Sequence, residues 1–200
     1  MEDKRTRYYW NRVTPDGAWL KNKHTGQSEP PPGEHLAAMR AGLGREFGEV
    51  ATIWPHYRSE VDDELAKRGR VSVDQQAEHA ALALYGLHQQ SKSLSMHKPG
   101  VRLGKALLRL RRSDRFTEEA IDRKVTAAAT ATSPEALLIR LRGLIDLLRT
   151  IDQPVDYDDL MRLIRNWHYE DSRRRARRQL AVDYQAWAES PKDDKAPAAP

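Results

Sequence analysis

Seven cations, Lys92, Lys98, Arg102, Lys105, Arg109, Arg111 and Arg112, lie between His79 and Ser113, a stretch that holds no acidic residue. Cations without nearby carboxylates repel one another, a cost offset when a polyanion neutralises them. The chemistry open to such a set is the gripping of phosphates. Arg102, Lys105, Arg109 and Arg112 follow the spacing i, i+3, i+7, i+10, which places them on one side of a helix beginning near Val101. Leu103, Leu107 and Leu110 lie on another side and are expected to face the core. Lys92, His97 and Lys98 extend the stripe from the preceding stretch, Ser93 to Gly100, which reads as an exposed loop. The plainer reading is a solvated helix face in an arginine-rich protein.

Other charged groups are less decisive. Arg123, Lys124, Arg140, Arg142 and Arg149 have Glu118, Glu119, Asp122 and Asp146 near them in sequence. Surface ion pairing and nucleic-acid contact are equally open readings at these positions. The run Arg173-Arg174-Arg175-Ala176-Arg177-Arg178 is denser, with Arg174, Arg177 and Arg178 on one helical face. Glu170 and Asp171 precede it, where anions suit the start of a helix.

Catalytic and metal chemistry find little support. Asp156, Asp158 and Asp159 form a carboxylate cluster, but carboxylates at a helix N-terminus have a plain structural use. His79, His88 and His97 are nine residues apart, whereas zinc sites favour His pairs three to five apart. Gly100 and Gly104 follow no strand and so make no phosphate-binding loop. No Ser, His and Asp set suggests a triad. The chain has no Cys, which removes disulfides, thiolate metal sites and cysteine nucleophiles. No cofactor and no small-molecule substrate are expected.

The elements that must position these residues are helical. The 200 residues are 32% charged and 7% aromatic, with a formal net charge of +5, which suits lean helices with long solvated faces. No apolar run approaches the length of a membrane span, and Met1 to Trp19 lacks the apolar core of a secretory signal, so a cytoplasmic location is expected. Helices are expected over Glu34 to Leu43 and, after the Trp54-Pro55 corner, over a polar stretch to about Arg68. Ser72 and Gln75 form a capping box opening a helix with Ala77, Ala80, Ala81, Leu84 and Leu87 inward. Thr117, Ser133 with Pro134, Asp156 and Ser172 open the remaining helices. No segment alternates with period two. The reading is all-α, as two small helical bundles packed side by side: residues 34–113 and 114–189, after a leader at 1–33 of uncertain order and before a disordered tail at 190–200. Trp10 and Trp19 are candidates to dock the leader on the body.

The segment from His88 through Met96-His97-Lys98-Pro99-Gly100-Val101-Arg102-Leu103-Gly104-Lys105-Ala106-Leu107 resembles the CasB family. Leu141-Arg142-Gly143-Leu144 and Val155-Asp156-Tyr157 through Leu160 to Trp167 are similar to the same family in the same order. CasB is the small subunit of Cascade, the type I-E CRISPR surveillance complex of antiviral defence. The resemblance implies a non-catalytic, all-helical subunit present in two copies beside other Cascade subunits. Its basic surface would hold the strands of the R-loop that guide RNA forms with target DNA. Arg102, Lys105 and Arg142 carry over from the matching blocks; Lys92, Lys98, Arg109, Arg112 and Arg123 rest on charge and face alone. The stripe lacks aromatics, so contact with backbones rather than base stacking is expected, with strong salt dependence. Two other readings stand beside this one: a helical adaptor whose arginines meet acidic protein partners, and a free-standing DNA-binding regulator. Against the regulator, no helix-turn-helix pattern with base-reading Asn or Gln is evident.

Overall fold

The structure is a computed structural model and describes residues 8–185. Helices dominate it: α1 (Gly33–Ala41), a 3-10 turn (Ala51–His56), α2 (Asp63–Ala66), α3 (Val73–His88), α4 (Leu103–Arg111), α5 (Glu118–Ala129), α6 (Pro134–Thr150), α7 (Tyr157–Trp167) and α8 (Glu170–Asp183). Extended pairing among the described residues is confined to isolated bridges. The fold is all-α, as the periodicity predicts.

The starts of these helices follow from local chemistry. Ser72 Oγ accepts from Gln75 N at 3.1 Å and Gln75 Oε1 accepts from Ser72 N at 2.9 Å, completing the capping box of α3. Thr117, Ser133 and Asp156 cap α5, α6 and α7 with a side-chain oxygen that accepts from first-turn backbone N–H groups. Two expectations shift. Helix α8 begins at Glu170, two residues before Ser172, with no side-chain cap. The polar stretch to Arg68 is not one helix; only Asp63–Ala66 is helical beyond the 3-10 turn. The reason lies on α3, where the buried Glu78 carboxylate accepts from Arg58 N and Ser59 N, both at 2.7 Å. Those backbone donors are thereby taken from any helix.

Helix α3 lies at the centre, packed by α1, α6 and α7, while α4 is packed by α5, α6 and α8. The approach of α1 to α3 is backbone-close: a Cβ on Gly86 would stand 2.6 Å from Met39 Cβ and 2.9 Å from Leu36 O. Gly104 similarly seats α4 on α8, its Cβ position lying 2.6 Å from Asp183 Cβ. Buried apolar residues on both sides of Ser113 and Asp114 join in one cluster.

The leader docks on the body through Trp10 and Trp19, the two residues its sequence suggests for that role. Tyr9 and Trp10 are buried in the central cluster, and Trp10 Nε1 donates to Asp158 Oδ1 at 2.8 Å. Burying two large aromatics supplies several kcal/mol, on the order of 2 each, which outweighs the ordering of a short segment. The tail expected at 190–200 lies outside the described residues.

Candidate nucleic-acid interface

The loop between α3 and α4 carries the start of the cationic stripe, and it is clamped rather than free. His97 bridges Val155 in parallel; Val155 N donates to Met96 O at 3.0 Å and Lys98 N to Val155 O at 3.2 Å. Asp156 does two jobs, capping α7 and accepting from Gly100 N at 2.7 Å. Gln89 reaches into the same loop, donating to Lys92 O and Leu94 O and accepting from Met96 N. Ser95, Met96 and His97 are accordingly buried, so the expectation that this whole stretch is exposed, with His97 on the stripe, is corrected. A loop with its backbone polar groups satisfied internally can be buried without penalty.

The histidines are core residues. The Tyr157 hydroxyl donates to Leu84 O at 3.2 Å, so His88 Nδ1 must supply the proton in its 3.1 Å bond to Tyr157 Oη. Complete burial pushes the His88 pKa down to about 3. His97 Nδ1 accepts from Tyr157 N at 3.0 Å, which puts the ring proton on Nε2, and burial lowers its pKa as well. His79 is held by Tyr57 and by Gly42 O and Arg45 O. Donor atoms of His97, Asp156 and Asp158 lie within 4.8 Å of one another. Each is already engaged: His97 Nδ1 with Tyr157 N, Asp156 with the α7 start and Gly100, and Asp158 with Trp10 and Asn11. That trio fits a structural clamp better than a metal centre.

On α4 the leucines behave as predicted. Leu103, Leu107 and Leu110 are buried while Lys105, Arg109 and Arg112 are exposed. The row is nevertheless not uniformly without partners, because carboxylates arrive from distant sequence. Lys92 pairs with Asp152. Arg102, the residue that precedes α4, stands 3.9 Å from Asp159 and 3.6 Å from Asp183, joining α7 and α8. Burial raises the Asp159 pKa, with Arg102 and Arg162 opposing that rise. Arg111 is bound by Glu118 at 2.7 Å and Asp122 at 2.9 Å. Among the described residues Arg109 meets only the neutral amide of Gln153, at 3.4 Å. Lys105 has no carboxylate partner among the described residues, and Lys98 has Asp16 as an electrostatic neighbour.

Three of the four acids that lie near these cations in sequence are paired, one of them with Arg149 as its spacing suggests, while Glu119, one turn before Arg123, has no ion pair among the described residues. Glu118 and Asp122 serve Arg111, and Asp146 serves Arg149. Arg123, Lys124, Arg140 and Arg142 are exposed and have no ion pair among the described residues. Arg123, Lys124 and Arg140 line an open groove of about 300 Å³ between α5 and α6, floored by Ala120, Ala127 and Gly143, with no acidic residue in its wall. Lys124 and Arg140 stand out little in the sequence, because the pairing of the neighbouring acids is decided only by tertiary packing.

The run on α8 is largely structural. Arg173 donates to Thr132 O and Arg177 to Ala131 O, both at 2.6 Å, satisfying carbonyls just beyond the end of α5. Arg177 also lies over the buried Trp167 ring at 5.3 Å, and Arg174 pairs with Glu170.

Residues 35–184 match the family described as CRISPR-associated protein Cse2. The chain belongs to the Cse2 family. Among solved structures it is similar to CasB from Thermobifida fusca, at 26% identity over 77% of this chain and 85% of that one, with a TM-score of 0.60. It also shares its fold with CasB from Thermus thermophilus, at 21% identity over 76% and 85% of the two chains and a TM-score of 0.56. No curated protein matches the sequence. Membership makes the chain a CRISPR-associated subunit of Cascade, as the resemblance of the α3–α4 and α6–α7 segments implies. Among the described residues no helix is long and apolar enough to cross a membrane.

Proposed function

We propose that this chain is a non-catalytic small subunit of type I-E Cascade that holds nucleic-acid backbones and stabilises the R-loop. Its partners in this reading are other Cascade subunits, a second copy of itself, guide RNA and target DNA. The observation that carries it is the set Lys105, Arg123, Lys124, Arg140 and Arg142, exposed on α4, α5 and α6 without carboxylate partners among the described residues. Heteroduplex formation nearly balances the DNA duplex it replaces, so a few phosphate contacts suffice to shift it. Such contacts require fixed charge and no base-reading groups.

The test is R-loop formation by the assembled complex carrying K105A/R109A/R142A. All three side chains are exposed, so the fold is expected to stand. Weaker R-loop locking, worsening as salt rises, is the expected result. R-loops as stable as the parent's across a salt series would contradict the reading. Loss of subunit incorporation without loss of strand binding would favour the adaptor.

A further inference from the structure

Trp54, on the 3-10 turn Ala51–His56, is 56% exposed, although most large apolar side chains of this fold are buried. It is nonetheless fixed in place. Its indole Nε1 donates to Gly48 O at 3.0 Å, and Tyr57 N donates to Trp54 O at 3.2 Å. Tyr57 in turn stacks on Phe47, with ring centroids 4.3 Å apart, so the 3-10 turn and the turn Glu46–Glu49 hold each other. Pro55 is exposed beside Trp54, while Phe47 and Tyr57 are half-buried. The result is an aromatic shelf whose geometry is set before anything binds, which spares a ligand the entropy of ordering it.

The charge around this shelf is negative. Residues 45–64 carry Glu46, Glu49, Glu60, Asp62, Asp63 and Glu64 against Arg45 and Arg58. The hydrogen bond that fixes Trp54 also brings it to the turn bearing Glu46 and Glu49. Glu49 Oε2 closes that turn by accepting from Glu46 N at 2.9 Å. Both glutamates are exposed, and neither has an ion pair among the described residues. Arg58 is occupied by carbonyls, donating to Pro55 O at 3.0 Å and Tyr57 O at 2.6 Å. Arg12 lies over the Tyr9 ring and Arg177 over Trp167, but among the described residues no cation covers Trp54.

We propose that Trp54 with Glu46 and Glu49 docks a basic segment of another protein subunit, one arginine or lysine lying on the indole face with its charge paired to the glutamates. Tryptophan offers a cation the most favourable ring face, and carboxylates beside it add charge-assisted hydrogen bonds. A phosphate backbone would meet repulsion at the same place, the reverse of the groove between α5 and α6. A rigid, exposed tryptophan is the kind of side chain that dominates the energy of a protein interface. Beyond strand holding, this gives the chain a second surface, of opposite sign, for the assembly to which it belongs.

The test compares the free chain with Cascade assembled from its own subunits. Hydroxyl-radical footprinting read by mass spectrometry is expected to find Trp54 reactive in the free chain and protected several-fold in the complex, with or without target DNA. W54A is expected to weaken incorporation of the subunit about tenfold while the free variant binds oligo-dT like the parent. E46K/E49K is expected to weaken incorporation in the same direction. Equal reactivity of Trp54 in the free and assembled forms overturns the inference and leaves the R-loop reading standing. Protection that appears only when target DNA is added, or in the free chain as its concentration rises, assigns the shelf to nucleic acid or to a second copy and also overturns it. Unchanged incorporation of E46K/E49K removes the basic partner. If Trp54 is protected while K105A/R109A/R142A leaves R-loops as stable as the parent's, the R-loop reading falls and this inference stands.

Discussion

Helix α8 and the groove between α5 and α6 are both rich in arginine and lysine, and they use those residues in opposite ways. On α8, Arg173 and Arg177 close the carbonyl end beyond α5, Arg177 covers Trp167, and Arg174 is held by Glu170. In the groove, Arg123, Lys124 and Arg140 meet no carboxylate among the described residues: Arg111 and Arg149 take Glu118, Asp122 and Asp146, and Glu119 forms no ion pair among those residues. Density of positive charge along a chain therefore says little about its availability. What decides it is which carboxylates and orphan carbonyls the fold brings against each cation. Five arginines in a six-residue run can be mostly mortar, while scattered cations stay open to a ligand.

This contrast can be broken by substitution. The largest effect is expected at the seat of α8. Gly104→Ala would drive a Cβ to 2.6 Å from Asp183 Cβ and 2.9 Å from Leu180 O, distances that require backbone movement. A loss of about 3 kcal/mol in urea unfolding is expected. A change below about 0.5 kcal/mol would mean that α8 is not held against α4 as described. Next comes R173A/R177A, which removes two charge-assisted hydrogen bonds and the cover over Trp167. These side chains are partly exposed, so the expected cost is discounted to about 2 kcal/mol, with strand binding by the folded protein unchanged. Weakened strand binding at full stability would reverse the assignment of α8 as structural.

Much of the helical scaffold is legible in the sequence because its signals are local. Ser72 with Gln75, Thr117, Ser133 with Pro134, and Asp156 each act within a few residues of themselves. The inward leucines of α4 are legible for the same reason. The pairing of cations is not, since Lys92 finds Asp152 and Arg102 finds Asp183 only when distant helices meet. The docking of the leader is legible in its two tryptophans, but their partners are not, since Trp10 reaches Asp158 across most of the chain. The polar stretch before Arg68 misleads because its backbone donors are claimed by Glu78, a buried carboxylate on a later helix. His97 belongs to the same class: it precedes the cation Lys98 in sequence, yet its surroundings are the buried start of α7.

The smallest expected change in stability and the most direct test of the account coincide in R123A/K124A/R140A. These exposed side chains have no carboxylate partner among the described residues, so unfolding free energy should shift by no more than about 0.5 kcal/mol. The deciding measurement is the salt dependence of single-strand binding by this variant beside the parent. A slope reduced by about 2, at about 0.7 for each phosphate no longer neutralised, is the predicted result. An unchanged slope in a folded variant would contradict the claim that the open cations of α5 and α6 grip a nucleic-acid backbone.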